Sequence, residues 1–235
     1  MRAIFERNKK FNIGDQFIVD DDRAHHLNVV RTRVGDEIRI FDGHGCAYEA
    51  KVQAISKKAV SLEILSSNEK KQQQQLVLFI GVPKKDAFED ILKIAVESGF
   101  TEIVPLTTTY SQFEYVESDR FNKIIESALV QSNNYFWPMI RPQLKLQDLN
   151  SLDFVLDTSI LFSSFSEGKN DEVNKQIWHR TGVFIGPEAG FTPIEEEQIL
   201  ASKFKTLRKH LPCPILRAPT AVAVSAGYIY SQMQK

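Results

Sequence analysis

Residues 181–191 read TGVFIGPEAGF, a buried strand, a tight turn and a helix start in unbroken succession. Val183, Phe184 and Ile185 form a short continuous apolar run, the pattern of a strand covered on both faces. Gly186-Pro187 stops the strand and Gly190 permits a second sharp bend. Thr192 with Glu195 three residues on is a capping box, and Pro193 suits the first helical position, so a helix begins at Thr192. Such a turn lies at the carboxyl end of a strand, where open α/β sheets bind ligands and glycines let a ligand approach the backbone. The same residues also suit a βα connection that only reverses the chain.

The neighbouring segments continue the alternation of strands and helices. Residues 76–82 (LVLFIGV) read as a buried strand. Phe88, Ile91, Leu92, Ala95 and Val96 then recur at helical spacing, with Gly99 as a C-terminal cap. Strands are expected at 102–106, 160–162 and 204–207, a second amphipathic helix carries Phe121, Ile124, Ile125, Ala128 and Leu129, and Gln131-Ser132-Asn133-Asn134 ends it. This order predicts an α/β fold, a mainly parallel sheet with helices on both faces. A last helix, 220–233, is rich in small residues (Ala221, Ala223, Ser225, Ala226, Gly227) that permit close approach of another backbone. Ahead of it, residues 211–220 (LPCPILRAPT) set the lone charge of Arg217 among three prolines, either a rigid crossover or a stiff pocket wall with one fixed cation.

Residues 66–75 (SSNEKKQQQQ) are polar and without apolar periodicity, and read as a linker. Before them, residues 37–41, 47–55 and 59–65 alternate as short strands around an Asp42–Gly45 turn. One helix precedes these strands, opening at the Asp20-Asp21-Asp22 cluster and ending before Gly35. A small barrel or sandwich is expected there. His25 and His26 are helical neighbours pointing in different directions, which suits surface or packing roles better than chelation. Arg31 and Arg33, at the end of the helix, are the candidates for phosphate contact.

The composition of the 235-residue chain, 43% hydrophobic and 25% charged, is that of a globular protein. The N-terminus MRAIFERNKK shows no export signal, no apolar run reaches the length of a membrane span, and a cytoplasmic location is expected. Cys46 and Cys213 have no metal-ligand spacing, so no metal is expected and both read as small buried hydrophobes. The net charge of −1 exerts no global pull on nucleic acid. A dinucleotide-binding enzyme is disfavoured, because no GxGxxG follows a strand.

Three segments, GVPKKDAFEDILKIAVESGFTEIVPL (81–106), VFIGPEAGFTPIEEE (183–197) and ILRAPTAVAV (215–224), resemble in order and spacing the motifs of the bacterial 16S rRNA uridine-N3 methyltransferases, members of the SPOUT superfamily. HLNVVRTRVGDEIRIFDGHG (26–45) resembles that family's PUA-like RNA-binding barrel. The resemblance implies a PUA-like β-barrel domain (1–67), a linker (68–75) and a SPOUT methyltransferase domain (76–235) with a C-terminal trefoil knot. It also implies S-adenosylmethionine as cofactor, 16S rRNA in the 30S subunit as substrate, and a homodimer with the active site beside the subunit interface.

Position by position, the resemblance places Leu161, Phe162, Gly186, Pro187, Glu188, Gly190, Leu211, Ile215, Leu216 and Arg217 around the cofactor. Arg217 would hold the uracil or its developing negative charge, and Gln131 would orient the base. Four departures accompany it. Ala189 stands where the family has glycine, Pro219 where it has glutamate, and the family's Glu-Gln-Ser-Gly-Arg appears as Val130-Gln131-Ser132-Asn133-Asn134. An arginine expected after the second strand of the domain falls at Tyr110 or a neighbour. The alternative these departures raise is an RNA-binding protein of the same fold that has lost methyl transfer or changed target.

Overall fold

In the computed structural model, which describes residues 2–163, 171 and 179–232, contacts separate two units. One comprises Met1–Gln72 and Leu129–Trp137, the other Gln73–Ala128 and Pro138–Lys235.

The first unit contains β1 (Ala3–Phe5), β2 (Gln16–Val19), α1 (Asp22–Val29), β3 (Glu37–Phe41), β4 (Cys46–Ile55) and β5 (Val60–Glu69). The strands form one sheet in the order β1-β3-β4-β5-β2, antiparallel except for β1 against β3. Alternation puts Ile38, Ile40, Ala50, Val52, Leu62 and Ile64 in one core, which Ala24 and Leu27 of α1 cover. The Asp21 carboxylate caps α1, accepting the Arg23 N–H at 3.0 Å. At the other end Arg31 takes φ 56°, while the N–H groups of Arg31 and Thr32 donate to Asn28 and Leu27 carbonyls, each at 3.0 Å. This is a Schellman cap with arginine at the left-handed position glycine usually fills.

The polar tract read as a linker is strand as far as Glu69, because Ser66–Glu69 pair with Cys46–Glu49. Backbone pairing is indifferent to the polarity of side chains that face water. Residues 129–137 also belong to this unit, although the sequence reading grouped them with the second one. The Gly45 N–H donates to Tyr135 O and the Trp137 N–H to Gly43 O, while Tyr135 meets Phe41 and Trp137 meets Phe5 ring to ring.

The second unit contains β6 (Gln75–Gly81), α2 (Lys85–Glu97), β7 (Phe100–Thr107), the first ten residues of α3 (Asp119–Ser132), and the two-residue strands β8 (Met139–Ile140) and β9 (Leu144–Lys145). After them come β10 (Thr158–Phe162), β11 (Arg180–Ile185), α4 (Pro193–Leu200), β12 (Thr206–Lys209) and α5 (Ala218–Gln232). The sheet runs β12-β10-β11-β6-β7-β8, with β9 also on β7, and its pairings are parallel. β11 is covered on both faces. Val183 and Ile185 join Ile91, Leu92, Val222, Ala226 and Ile229 on the side of α2 and α5, while Phe184 stacks on Phe79 at 4.2 Å on the side of α4.

Three readings are corrected. The edge strand is 206–209 rather than 204–207, because Phe204 turns into the aromatic cluster of Phe79 and Phe154 before the strand starts. The last helix starts at Ala218, two residues early, since Pro219 is tolerated in a first turn. Cys213 is exposed, whereas Cys46 is buried. A trefoil knot depends on how the chain after β12 passes the connection between β10 and β11, and most of that connection lies outside the described residues.

At the amino end of the sheet, the Glu102 carboxylate is 7% exposed and pairs with Arg141 at 2.6 Å and with Arg180. Hydrogen bonding to Glu102 is the leading cause of the upward shift of the Arg141 guanidinium pKa. Removing the shared anion leaves two half-buried cations facing each other, so Glu102→Ala should lower unfolding free energy by about 3 kcal/mol. Urea denaturation at pH 7 measures the loss.

Candidate functional site

The carboxyl ends of β10, β11 and β12 border an open cleft of about 110 Å³. Phe162 and Ser163 come from the end of β10. Ile185, Gly186, Pro187, Glu188 and Gly190 come from β11 and its loop. Lys209 ends β12, His210, Leu211, Cys213, Pro214, Ile215 and Leu216 follow it, and Ala218 and Ala221 lie in the first turns of α5.

The loop after β11 is held by close backbone approach. A Cβ on Gly186 would stand 2.7 Å from the carbonyl carbon of Gly190 and 2.8 Å from the Phe191 nitrogen. Gly190 itself takes φ 76°. Gly81, at the end of β6, is equally constrained, since a Cβ there would meet Pro187 Cδ at 2.5 Å. Gly186 is therefore required by the folded loop itself, not only by the approach of a ligand.

Two carboxylates brace this loop. Glu188 accepts the Lys84 N–H at 3.2 Å and the Gln112 amide at 3.3 Å. Lys84 is the N-cap of α2 and supplies no side-chain cap, so Glu188 sets a negative charge at the positive end of that helix. Glu195, buried, completes the capping box on Thr192 and also accepts the Thr109 N–H at 2.6 Å and the Thr109 hydroxyl at 3.0 Å. Burial alone would raise its pKa. The hydrogen bonds from Thr192 and Thr109 outweigh burial and hold it below the ordinary carboxylate value.

The structure brings together Phe162, Gly186, Pro187, Glu188, Gly190, Leu211, Ile215 and Leu216 of the sequence-predicted cofactor residues. Leu161 does not line the cleft, its side chain being buried in the core. Arg217 is exposed just before α5, where its carbonyl accepts the Ala221 N–H at 2.9 Å, and it is not among the lining residues. Gln131 is exposed in the last turn of α3 and belongs to the first unit, as do the exposed Arg31 and Arg33. Asn133, at the glycine position of the motif, takes a left-handed backbone with φ 53°. Asparagine is the side chain most compatible with that conformation after glycine.

Lys209 and His210 were missed, because a strand placed at 204–207 ends too early for them to stand at its carboxyl end. Their side chains already have partners: Lys209 Nζ donates to Asp171 O at 3.3 Å, and His210 Nδ1 lies 3.2 Å from Ser163 O. Ile215 is 86% exposed, an apolar side chain standing open on the cleft wall. Among the described residues no cluster of His, Cys, Asp or Glu could hold a metal ion, and no helix is long and apolar enough to cross a membrane.

A parallel sheet with an apolar-walled cleft across the carboxyl ends of neighbouring strands defines an α/β protein built to hold a small organic ligand. The chain belongs to the RNA methyltransferase family: the RNA methyltransferase domain matches residues 69–230, and the RNA methyltransferase PUA domain matches residues 19–65. It is 28% identical over 222 residues to ribosomal RNA small subunit methyltransferase E of Rickettsia conorii, covering 90% of this chain and 88% of that one. Identity to the enzyme of the same name from Aquifex aeolicus is 27% over 217 residues, covering 89% and 91%. The crystal structure of ribosomal RNA small subunit methyltransferase E from Neisseria gonorrhoeae bound to S-adenosyl methionine has the same fold, with a TM-score of 0.85 over 99% of this chain and 98% of that one at 24% identity.

Two expected outcomes test the bracing of the loop. Gly186→Ala must displace backbone, so it should lower both the melting temperature and ligand affinity, read by calorimetry and by titration of the folded fraction. Glu195→Gln should cost about 2 kcal/mol at pH 7, the scale of hydrogen bonds to a charged group. A depressed carboxylate stabilises the fold above its unfolded pKa, near 4.5, and that contribution is lost as pH falls through the folded value. The gap between wild type and variant should therefore close below about pH 4.5, as followed by urea denaturation across pH.

Proposed function

We propose that this chain transfers the methyl group of S-adenosylmethionine to N3 of a uridine in 16S rRNA of the small ribosomal subunit, acting as a homodimer in the cytoplasm. The cleft carries this reading. Its apolar wall, with Ile215 open to solvent and Phe162 and Leu216 beside it, suits the faces of an adenine. The backbone of residues 186–190 and 211–216 supplies amides and carbonyls for its edges. The cofactor, when bound, provides a methyl group already activated by the sulfonium, so this chain's residues have to align donor and acceptor and assist loss of the N3 proton.

Arg217, outside the cleft lining but immediately before α5, is assigned to the uracil and the negative charge that develops on it. Gln131 is assigned to orienting the base, and Arg31 and Arg33 to contacting RNA. On α5, Val222, Ser225, Ala226 and Ile229 are buried, while Ala223, Val224, Gly227 and Tyr230 form an exposed strip of largely small side chains. That strip supports an isologous dimer contact. The knot belongs to the same reading. It is supported by β12 lying outside β10 at the sheet edge while α5 returns to α2, at the other side of β11.

A second reading, a retargeted or catalytically degenerate RNA-binding protein, is favoured by one observation. Asn133 takes the left-handed backbone that a glycine in the motif's position adopts readily, while Val130 and Asn134 stand where the motif has glutamate and arginine, so charge is lost.

Incubation with S-adenosylmethionine and unmethylated 30S subunits, followed by nucleoside mass spectrometry of the 16S rRNA, should yield 3-methyluridine. Arg217→Ala should keep the fold and cofactor affinity yet turn over roughly a hundredfold more slowly, the loss of about 3 kcal/mol of transition-state stabilisation. Near-normal turnover of that variant would remove Arg217 from the site. Binding of S-adenosylmethionine without transfer by the wild type would replace the first reading with the second.

A further inference from the structure

We infer that Tyr110, on the turn after β7, is the platform on which the acceptor base stacks during methyl transfer. This rests on the methyl-transfer reading above and gives the acceptor side of the site a residue of its own.

The ring of Tyr110 has no task in the fold. Of the six tyrosines, Tyr48, Tyr115, Tyr135 and Tyr228 meet phenylalanine rings, and Tyr230 donates its hydroxyl to Ser98 O at 2.7 Å. Tyr110 is 45% exposed, and among the described residues its side chain has neither a ring contact nor a hydrogen bond. A single exposed ring is commonplace on a protein surface. The frame that carries this one is not.

Thr108 to Ser111 form a β-turn closed by the Ser111 N–H on Thr108 O at 3.1 Å, with Tyr110 at its third position. Ser111 Oγ accepts the Thr108 N–H at 2.9 Å and donates to Leu106 O at 3.1 Å. On one side of Tyr110, Thr109 gives its N–H and its hydroxyl to the buried Glu195. On the other, Gln112 donates its N–H to Val82 O at 3.1 Å and its side-chain amide to Glu188, which lines the cleft. The turn is thus tied to both carboxylates that brace the loop after β11. A ring held on so fixed a backbone gives up little freedom when it meets a ligand.

Position and charge select that ligand. The parallel sheet puts the turn at the same edge as the cleft, two strands from β11, or about 10 Å. Tyr110 is not among the cleft-lining residues, so a base stacked on it belongs to a second molecule, the acceptor, rather than to the one in the cleft. Residues 107–113, TTTYSQF, carry no charge, and Glu188 and Glu195 are the ionic groups bound to them. A phosphate finds no cation on this turn. What the turn offers is a π-face, and stacking holds any base without reading its identity.

The test is methyl transfer from S-adenosylmethionine to unmethylated 30S subunits by the full chain, comparing wild type, Tyr110→Phe and Tyr110→Leu. Leucine keeps an apolar side chain and removes the π-face. Tyr110→Phe should stay within about twofold of the wild-type kcat, whereas Tyr110→Leu should lose roughly tenfold or more, the scale of one base–aromatic stack. KM for 30S subunits should move less than about twofold, because the stack forms only once the base is in place. Cofactor affinity by calorimetry, melting temperature, and mass by light scattering should match wild type in both variants, as for an exposed substitution. Equal turnover by all three proteins would overturn the platform, and so would a phenylalanine variant as slow as the leucine one. Slow turnover accompanied by weaker cofactor binding, a lower melting temperature or an altered mass would make Tyr110 a structural or subunit contact instead. Wild-type protein that binds S-adenosylmethionine yet methylates no 30S subunits would remove the acceptor and the methyl-transfer reading together, a different result from an active wild type indifferent to the ring.

Discussion

Backbone meeting backbone after β11 is the constraint on which the second unit depends. Gly186 touches the Gly190–Phe191 peptide, Gly81 touches Pro187, and neither contact has room for a single carbon more. Parallel strands bring their carboxyl ends together, and only glycine and proline let the emerging loops pass so closely. Everything that lines the cleft from β11 is placed by this contact. Two carboxylates, one in the loop and one on α4, fasten it to neighbouring segments. Glu188 ties it to the start of α2, and Glu195 ties α4 to the loop after β7. A ligand arriving there finds walls whose geometry is set by the scaffold, which lowers the ordering cost of binding.

Charge is distributed in three different ways across the chain. At the amino end of the sheet it is buried and paired, with Glu102 shared by Arg141 and Arg180. Around the cleft, carboxylates serve as hydrogen-bond acceptors for backbone and hydroxyl groups. On the first unit, arginines and lysines stand exposed on rigid turns. Each arrangement follows from local solvation: a buried ion survives only with partners, whereas an exposed one stays available to an incoming anion. Arg217 belongs to the exposed class.

Much of the α/β architecture was legible because its signals are local. The unbroken apolar runs of β6 and β11, the 3.6-residue period of α2, the Gly99 cap and the Thr192–Glu195 box each act within a few residues, and the backbone obeys them. The end of α3 is similar: the Asn133 N–H donates to Val130 O and the Asn134 N–H to Leu129 O, a Schellman turn whose left-handed position selects from a short list of side chains.

Other features are settled by partners far away in the chain. The edge strand shifted to Thr206–Lys209 because Phe204 has a ring cluster to join, and no property of residues 204–209 announces Phe79 or Phe154. That shift decided whether Lys209 and His210 stand at the cleft. Ser66–Glu69 are strand because Cys46–Glu49 offer them a ladder, although their composition reads as a linker. Residues 133–137 follow a helix assigned by its period, yet the rings of Trp137 and Tyr135 lie against Phe5 and Phe41. The sequence by itself determined the elements, the turn chemistry and the resemblance to a family. Tertiary structure alone decided which strand ends share a cleft and which side chains are left exposed there, because burial and long-range pairing exist only once the chain has folded.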